Sequence, residues 1–355
     1  MSDASRRANV VGIGLIGGSI ALALREQGWH VCGRDRDEVL AARALALGVL
    51  DEVGHDPTAS LTFVATPVGA IPAEVELALA TTTGFVTDVG SVKSPMLELM
   101  EDPHYVGGHP MAGSELEGVE GARADLFEGA TWVLTPVEDT DDVAYTTVRN
   151  VISEFGADVV AVAPERHDSM VAVVSHVPHL TAASLMRLAD ERSVEHGALL
   201  RLAAGGFRDM TRIAAGHPGI WPDICAENRS AIVDELDQLI AGLTATREMV
   251  ATGDRAGLVA LLEQARAARI ALPARYDRPD RLCELRVPIP DRTGVLAEIT
   301  TLATELDVSI ADIEIAHSAE RPQGVLILLV EAEPGERLVK GLVDQGYRPA
   351  LHRLS

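Results

Sequence analysis

Short apolar runs alternate with amphipathic stretches over the first third of the chain. Apolar runs bounded by turn residues predict strands, and apolar residues recurring every three or four positions predict helices. The predicted strands are Val10–Ile13, Val31–Gly33, Leu61–Ala65, Phe85–Val89 and Trp132–Leu134, and the predicted helices between them are Ser19–Gln27, Glu38–Leu47, Ile71–Ala80 and Lys93–Met100. This alternation indicates a doubly wound parallel sheet with right-handed crossovers.

The pattern changes after one more strand-like run, Asp158–Val162. From about residue 164 to residue 272 nearly the whole chain has helical periodicity, in the predicted helices Glu165–Val174, Leu180–Glu191, Pro222–Met249 and Arg255–Ile270. The third of these is long enough to form a spine or a subunit interface. Residues 273–281 contain two prolines and lack periodicity, which is typical of a linker.

Beyond this segment the predicted order of elements is βαββαβ. The strands are Cys283–Pro288, Ile310–His317, Gly324–Glu331 and Tyr347–Arg353, and the helices are Gly294–Leu306 and Glu336–Gln345. This order describes a small ferredoxin-like sandwich. We therefore expect an α/β protein with a Rossmann-type dinucleotide-binding domain (1–163), an all-helical middle domain (164–275), a linker (276–281) and a C-terminal βαββαβ domain (282–355).

Composition excludes several classes of function. The chain has 30 basic and 53 acidic side chains among 355 residues, a net charge of −23, so nucleic acid and anionic membranes are not expected partners. Cys32, Cys225 and Cys283 are far apart and show neither a disulfide framework nor metal-ligand spacing, which suits a reducing cytoplasm. No apolar run approaches the length of a transmembrane helix, so a cytoplasmic enzyme is expected.

A glycine cluster follows the first predicted strand. Gly12, Gly14 and Gly17 form G-x-G-x-x-G at the head of a predicted helix. The first glycine permits a tight turn, the second lets the backbone approach a pyrophosphate, and the third allows the helix to pack closely on the strand. The motif alone is weak, because a chance cluster of glycines gives the same pattern.

A carboxylate at the end of the second predicted strand strengthens the motif. Asp35 is placed to accept hydrogen bonds from adenosine ribose hydroxyls and to repel a 2′-phosphate, which favours NAD over NADP. Arg34 and Arg36 flank it and keep NADP as the alternative. The predicted cofactor-binding residues are Gly12, Gly14, Leu15, Ile16, Gly17, Asp35, Thr66 and Pro67.

Three polar segments lie in apolar surroundings. Residues 87–94, with Ser91, end a strand where open α/β sheets place ligands. Residues 107–115 contain His109 between glycines and a proline, which predicts a rigid loop. His176 and His179, three apart at a helix start, could ligate zinc, but no carboxylate or cysteine has a matching offset, so no metal is expected.

Two arginines, Arg208 and Arg212, lie four residues apart on one predicted helical face. Arginine suits bidentate recognition of a carboxylate. A solvent-facing pair with Asp209 as its counter-ion is the alternative.

The segments G-G-H-P-M-A-G-S-E, S-H-V-P-H and F-R-D-M-T-R-I-A, in this order behind the dinucleotide fold, resemble the prephenate dehydrogenase family of tyrosine biosynthesis. The resemblance covers roughly residues 9–275. It implies oxidative decarboxylation of prephenate to 4-hydroxyphenylpyruvate, with hydride passing to NAD. Arogenate dehydrogenase, whose substrate carries an amine in place of the side-chain ketone, is the alternative. A second alternative is a non-catalytic sensor of NAD or of an amino acid. No acidic residue between Ser175 and His179 is available for an ammonium group, which favours prephenate.

The resemblance also implies roles for individual residues. His109 would act as the base on the substrate 4-hydroxyl, with Ser91 orienting it, and Arg212 would bind a substrate carboxylate with support from Arg208. The paired histidines would lie near the substrate side chain. The remaining substrate-site residues would form an ionic gate, or a purely structural brace, with Arg212; they are Glu115 and Asp209.

The C-terminal segments around 287–299 and 308–313 resemble the ACT domain, an amino-acid sensor that pairs side by side with a second copy. The resemblance implies a homodimer or a dimer of dimers, feedback control by tyrosine, and a ligand site at a strand-to-helix turn. A dimerisation module that has lost its ligand is the alternative. The predicted effector-binding residues are Asp291, Thr293, Gly294, Val295 and Leu296.

Overall fold

The computed structural model describes residues 6–97, 99–113, 116, 118–194, 196–216, 218–272, 282–290, 292–317 and 323–353. Glu115, Asp291 and the predicted linker 276–281 lie outside the described residues. The chain divides into two units, one comprising 1–184 and 213–242 and the other comprising 185–212 and 243–355.

The first unit is built on an eight-stranded sheet with the order β3-β2-β1-β4-β5-β6-β7-β8. Its strands are β1 (Arg7–Val11), β2 (His30–Arg34), β3 (Glu52–Val53), β4 (Leu61–Val64), β5 (Phe85–Asp88), β6 (Tyr105–Pro110), β7 (Thr131–Thr135) and β8 (Asp158–Ala161). The doubly wound Rossmann-like arrangement is confirmed. One expectation was wrong, because β6 and β7 pair antiparallel and the sheet is therefore mixed.

Four helices cover this sheet: α1 (Leu15–Glu26), α2 (Glu38–Ala46), α3 (Ile71–Thr81) and α4 (Asp142–Glu154). Helix α4 is absent from the sequence prediction, although Asp141 caps it by accepting hydrogen bonds from two backbone amides. The predicted helix Lys93–Met100 is instead two 3-10 turns, Ser94–Met96 and Leu99–Glu101. Pro95 and the hydrogen bond from the Ser94 amide to Asp168 account for this interruption.

The core under the sheet is aromatic as well as aliphatic. The rings of Phe63, Phe127, Trp132 and Phe155 pack with centroid separations of 4.9 to 6.4 Å. Each such buried ring contributes about 1.5–3 kcal/mol of transfer free energy. The packing fixes β7 and therefore its neighbour β6.

The helical region contains α5 (Pro164–Val171), a π-helical turn (Ala172–His176), α6 (Val177–Ser193), α7 (Gly205–Thr211), α8 (Trp221–Glu227), α9 (Arg229–Thr252) and α10 (Arg255–Ile270). The long helix predicted over Pro222–Met249 is broken at Asn228, whose backbone leaves the helical conformation. The Asn228 side chain is buried and bonded, so the break places a polar group inside the unit.

The stretch Pro164–Ser193 is long and apolar enough, by length and composition alone, to cross a membrane. It nevertheless contains three buried polar side chains, those of His167, Asp168 and His176. All three are hydrogen-bonded to groups on neighbouring elements or to each other. These three buried polar groups belong to the first unit.

The C-terminal segment has the predicted element order βαββαβ. Its elements are β9 (Leu282–Pro290), α11 (Val295–Glu305), β10 (Ile310–His317), β11 (Gln323–Glu331), α12 (Ala332–Asp344) and β12 (Ala350–Arg353). The sheet is antiparallel with the order β10-β11-β9-β12. Its two helices bury their own aliphatic core, which includes Leu285, Val287, Ile299, Leu326 and Leu338.

Candidate active site

The glycine-rich turn between β1 and α1 needs each of its glycines for a different reason. Gly12 has φ +88°, and a Cβ there would lie 2.6 Å from the Ala65 carbonyl oxygen. A Cβ on Gly17 would lie 1.9 Å from the Gly12 carbonyl oxygen. At Gly14 a Cβ would meet no described atom within 4 Å. Gly12 and Gly17 therefore serve the turn and the helix packing, while Gly14 leaves space beside the start of α1.

Asp35 is fixed beside this turn. Its Oδ2 accepts a hydrogen bond from the Ile13 amide at 2.8 Å, and its Oδ1 accepts one from the Asp37 amide at 3.0 Å. Arg34, which flanks it, is ion-paired with Glu74. The carboxylate is thus oriented at the carboxyl end of β2, the position at which dinucleotide folds bind the adenosine ribose.

One cavity of about 720 Å³ joins the cofactor turn to the predicted catalytic segments. Among the predicted residues it is lined by Ile16, Thr66, Pro67, Ser91, His109 and His176. The Thr66 hydroxyl is buried and has no hydrogen-bond partner among the described residues. Because a buried hydroxyl without a partner is costly, this group is suited to bond a molecule that enters the cavity, and the cavity fits a dinucleotide on this wall.

His109 lies in strand β6, so the rigid loop expected around it was wrong. In this strand His109 lies opposite Val133 in the antiparallel ladder with β7. Gly108 precedes it, and a Cβ there would lie 2.6 Å from the Asp88 carbonyl oxygen. The double glycine therefore allows β6 to approach β5 closely, and the strand presents the imidazole to the cavity.

A chain of hydrogen bonds connects His109 to a buried carboxylate. His109 Nδ1 lies 2.9 Å from His167 Nε2, and His167 Nδ1 lies 2.8 Å from Asp168 Oδ1. The Asp168 carboxylate also accepts the backbone amides of Lys93 and Ser94 at 2.8 and 2.7 Å, and the Ser94 hydroxyl. We call these three side chains, His109, His167 and Asp168, the relay.

The relay fixes the tautomer of each imidazole. Burial works against ionisation of Asp168, but hydrogen bonds from His167 and Ser94 outweigh it and lower the pKa of the carboxyl group. An ionised carboxylate can only accept, so His167 Nδ1 carries a proton and donates it. In neutral His167 the Nε2 atom then accepts from His109 Nδ1, which leaves His109 Nε2 as the unprotonated nitrogen.

The surroundings keep His109 neutral. Burial is the main cause of a pKa far below 6.5, and repulsion from His167, Lys93 and His176 adds to it. The neutral ring with a free Nε2 is the form that accepts a proton.

A buried ion pair supports the strand ends beneath the site. Lys93 is fully buried, and its Nζ donates to an Asp88 carboxylate oxygen and to the Gly108 carbonyl at 2.6 Å. The hydroxyl of Tyr105 donates to the other Asp88 oxygen. Burial lowers the pKa of Lys93 and raises that of Tyr105. These groups hydrogen-bond to one another and hold β5 and β6 together.

His176 is positioned by a change in helix geometry. It ends the π-helical turn Ala172–His176, and its Nδ1 lies 3.2 Å from Asn228 Nδ2. The same amide donates to the Asp168 carbonyl at 2.9 Å, so Asn228 is the donor and His176 Nδ1 the acceptor. Its Nε2–H is then the remaining donor of a ring that lines the cavity, and burial lowers the pKa of His176 to about 4.

His179 lies one helical turn further on and stacks on Trp221, with ring centroids 3.8 Å apart and planes at 18°. Trp221 also contacts His176 edge to face at 6.1 Å and lines the cavity. His179 does not itself line the cavity, and its contact with the site is the stack on Trp221.

The arginine segment lies in the other unit of the chain. Arg208 and Asp209 belong to α7, and Arg212 begins the 3-10 turn 212–215. All three are exposed, and Arg208 Nε donates to the Ala203 carbonyl at 3.1 Å. Since Glu115 lies outside the described residues, the ionic gate stays a prediction.

The predicted effector turn begins α11. Gly294 precedes the helix with φ +91°, Val295 is buried, and Thr293 and Leu296 are exposed. Beside it is a cavity of about 750 Å³ lined by Arg292, Arg348 and Tyr347 among others. The Arg292 guanidinium donates two hydrogen bonds to Glu298, at 2.9 and 2.6 Å.

Sequence reasoning missed the residues behind the first layer of the site. His167 and Asp168 are adjacent polar residues within α5, and Asn228 interrupts a predicted helix. The first pair could have been noticed as two polar residues on a face that buries its neighbours Pro164 and Val171. No local pattern indicates that Asn228 contacts both Asp168 and His176.

Comparisons with known proteins identify relatives of this chain. Two family models match the chain: prephenate dehydrogenase, nucleotide-binding domain, at residues 20–161, and prephenate dehydrogenase, dimerization domain, at residues 163–264. The prephenate dehydrogenase of Bacillus subtilis (strain 168) is 33 % identical over 351 residues, covering 94 % of this chain and 95 % of the relative.

Two solved structures show the same fold with similar sequences. Prephenate dehydrogenase from A. aeolicus, in complex with hydroxyphenyl propionate and NAD+, aligns with a TM-score of 0.70 at 30 % identity, over 76 % of this chain and 98 % of the other. Arogenate dehydrogenase from Synechocystis aligns with a TM-score of 0.65 at 32 % identity, over 74 % of this chain and 98 % of the other.

Proposed function

This chain belongs to the prephenate dehydrogenase family, and we propose that it catalyses the NAD-dependent oxidative decarboxylation of prephenate to 4-hydroxyphenylpyruvate. The observation that supports this most is the relay, which ends in a neutral His109 on the wall of the cavity that is also lined by the predicted cofactor-binding residues Ile16 and Thr66. A buried base beside a dinucleotide site is what oxidation of an alcohol requires.

NAD would bind along the glycine-rich turn. Its pyrophosphate fits the space at Gly14 beside the start of α1, and its adenosine ribose fits Asp35. The oriented Asp35 carboxylate and the pairing of Arg34 with Glu74 favour NAD over NADP. The chemistry that NAD supplies when bound is a hydride acceptor for the ring carbon that carries the 4-hydroxyl group.

His109 would move the proton in this reaction. Its Nε2 accepts the proton of the 4-hydroxyl group as that carbon is oxidised. The carboxylate on the opposite ring carbon then leaves as CO2, its bonding electron pair enters the ring, and the ring oxygen takes the proton back from His109. Asp168 and His167 orient the imidazole and stabilise its transient positive charge.

The substrate would be bound by donors around the cavity. The Nε2–H of His176 is suited to an oxygen of the side chain, and Ser91 to the ring hydroxyl. Arg212, supported by Arg208, is proposed to bind a carboxylate, with Asp209 and Glu115 as counter-ions. His179 would keep Trp221 in place against the substrate.

The direct test is NADH formation by the purified full chain with prephenate and NAD. We expect turnover in the wild type and loss of turnover in His109→Asn, with NAD binding retained in calorimetry. Absence of turnover with prephenate in a wild-type protein that binds NAD would refute the proposal.

Arogenate is the second candidate substrate, and one observation favours it. Asp223 lines the cavity beside Trp221, where a carboxylate could pair with the ammonium group that distinguishes arogenate from prephenate. The ratio of kcat/KM for the two substrates separates the candidates. If prephenate is preferred, Asp223→Asn leaves that ratio nearly unchanged. If arogenate is preferred, the variant lowers kcat/KM for arogenate at least about tenfold, the effect of losing a charge-assisted hydrogen bond.

We propose that the C-terminal segment 282–355 is an ACT domain that binds L-tyrosine as a feedback effector. The βαββαβ order and the cavity beside the predicted turn support this, since Arg292 and Arg348 suit the carboxylate of an amino acid. The B. subtilis relative, at 94 % coverage of this chain, necessarily shares most of this segment. Asp291, Thr293, Gly294, Val295 and Leu296 are the proposed effector residues.

We further propose domains at 1–163, 164–275 and 282–355 joined by 276–281, and a soluble, cytoplasmic homodimer. The description of the second family model as a dimerization domain supports the dimer. So do the exposed apolar side chains of α9 and α10, such as Val250, Val259 and Leu262.

A further inference from the structure

Three metal-ligating side chains meet at the edge of the eight-stranded sheet. His30 and Cys32 are two residues apart in β2 and so project from the same face. Glu52 lies directly opposite Cys32 in the neighbouring strand β3. One ligand atom from each lies within 4.8 Å of the other two. None of the three lines the 720 Å³ cavity.

Two of the three ligand separations match those of a tetrahedral metal site. His30 Nε2 and Cys32 Sγ each lie 3.7 Å from Glu52 Oε2. Zinc bonds of about 2.0–2.3 Å at tetrahedral angles place neighbouring ligand atoms roughly 3.3–3.8 Å apart. We propose that His30, Cys32 and Glu52 form a binding site for a divalent transition-metal ion of the zinc class, with solvent completing the coordination.

A further carboxylate lies near the second nitrogen of the histidine. His30 Nδ1 lies 4.0 Å from Asp51 Oδ2, so its other nitrogen, Nε2, faces Glu52. Asp51 is itself fixed, because its Oδ2 accepts the Val31 amide at 2.9 Å and its Oδ1 pairs with Arg25. Metal-ligating histidines commonly have such a carboxylate beside their second nitrogen.

The nearby positive charge is already neutralised. Arg7 lies beside His30 in the register of β1 and β2, but its guanidinium is paired with Asp56.

The sequence did not indicate this site, because cysteine spacing alone misses a ligand supplied by the neighbouring strand. Bound metal would join β2 to the two-residue strand β3. It would thereby stabilise the edge of the sheet that ends in Asp35.

The test is titration of untagged, reduced full-length protein with Co2+, followed by competition with Zn2+. We expect one equivalent of Co2+ to give a thiolate-to-cobalt charge-transfer band that Zn2+ removes. Cys32→Ser should abolish the band, whereas Cys225→Ser and Cys283→Ser should retain it. His30→Ala and Glu52→Gln should each weaken binding at least about tenfold, in line with the sensitivity of metal sites to their ligands.

Three results would overturn the proposal: no thiolate band in the wild type, a band that persists in Cys32→Ser, or unchanged affinity in both His30→Ala and Glu52→Gln. The last two variants retain the buried thiol, so the test stands even if Cys32→Ser fails to fold. Thermal unfolding gives a second readout. Zn2+ should raise the Tm of the wild type and of Cys225→Ser, and it should not raise the Tm of Cys32→Ser.

Discussion

Two cavities of similar size in the described part of the chain differ in how far their charged groups are exposed to solvent. Around the cavity of the first unit, polar side chains are buried and bonded in sequence, as in the relay and the pair of Lys93 with Asp88. In the cavity of the βαββαβ segment, the pair of Arg292 with Glu298 is half exposed to solvent.

The two cavities differ in the desolvation cost of their charged groups, which is high for the buried groups and low for the exposed pair. A buried ionised group is stable only when partners replace its hydration, so every member of the relay depends on the next. A solvent-exposed ion pair contributes little to stability and can exchange its partner for a ligand. The first cavity is therefore suited to chemistry, and the second to reversible binding of a charged molecule.

The largest effect should come from removing the base. His109→Asn eliminates the proton acceptor, and we expect kcat to fall about 10²–10⁴-fold, the usual contribution of general base catalysis. Steady-state NADH formation measures it. His104→Asn, which changes an exposed histidine, should retain wild-type kcat; equal losses in both variants would contradict the role of His109.

The next largest effect should come from the far end of the relay. In Asp168→Asn the amide no longer fixes the tautomer of His167, and kcat should fall about 10²-fold, less than for His109. Asp168 raises the pKa of His109, so the acid limb of kcat/KM, which should lie below pH 6.5 in the wild type, should move to still lower pH.

The matched control for that prediction is Asp125→Asn, an exposed carboxylate paired with Arg123. It should keep both the rate and the pH profile of the wild type. A purely structural role for Asp168 would lower the rate without moving the acid limb, and that result would remove Asp168 from the relay.

Sequence reasoning singled out several residues that line the cavity and missed the residues behind them for a physical reason. Ser91, His109 and His176, which the sequence singled out, all line one cavity. Only Ser91 follows the end of a parallel strand, where open α/β sheets place ligands. Asp168 and Asn228 act through contacts between elements distant in sequence, and no local period encodes such a contact. The antiparallel β6–β7 pair was missed likewise, because pairing direction depends on the chain's return path.

Alternating elements were predicted well, and their boundaries less so. The periodicity located the βαββαβ order of the C-terminal segment and most helices of the first unit. The long helix through Asn228 and the helix through Pro95 were wrong. The Asn228 backbone leaves the helical conformation, and the Ser94 amide next to Pro95 bonds Asp168.

A smaller effect concerns stability in acid. The pKa of His176 is about 4 in the folded protein and near 6.5 when unfolded, so the unfolded chain takes up the proton first. The free energy of unfolding should then be full above pH 6.5 and decrease as the pH falls towards 4. Denaturant titrations across this range measure the slope, which His176→Asn should reduce and His104→Asn should not.

The smallest effect on the fold is expected at the exposed cavity. Arg292→Ala should leave Tm unchanged within error, because its ion pair is half exposed, while weakening inhibition by L-tyrosine severalfold. Arg286→Ala, which removes another exposed ion pair of the same segment, should leave inhibition intact. Equal inhibition of all three proteins would place the effector elsewhere.

The most direct test of the central claim is the pH dependence of kcat/KM for prephenate with NAD, compared between the wild type and Asp168→Asn. The relay predicts NADH formation in the wild type with an acid limb below pH 6.5, and a lower plateau with a further acidic shift in the variant. Turnover with the same pH profile in both proteins, or no turnover of prephenate at all, would contradict it.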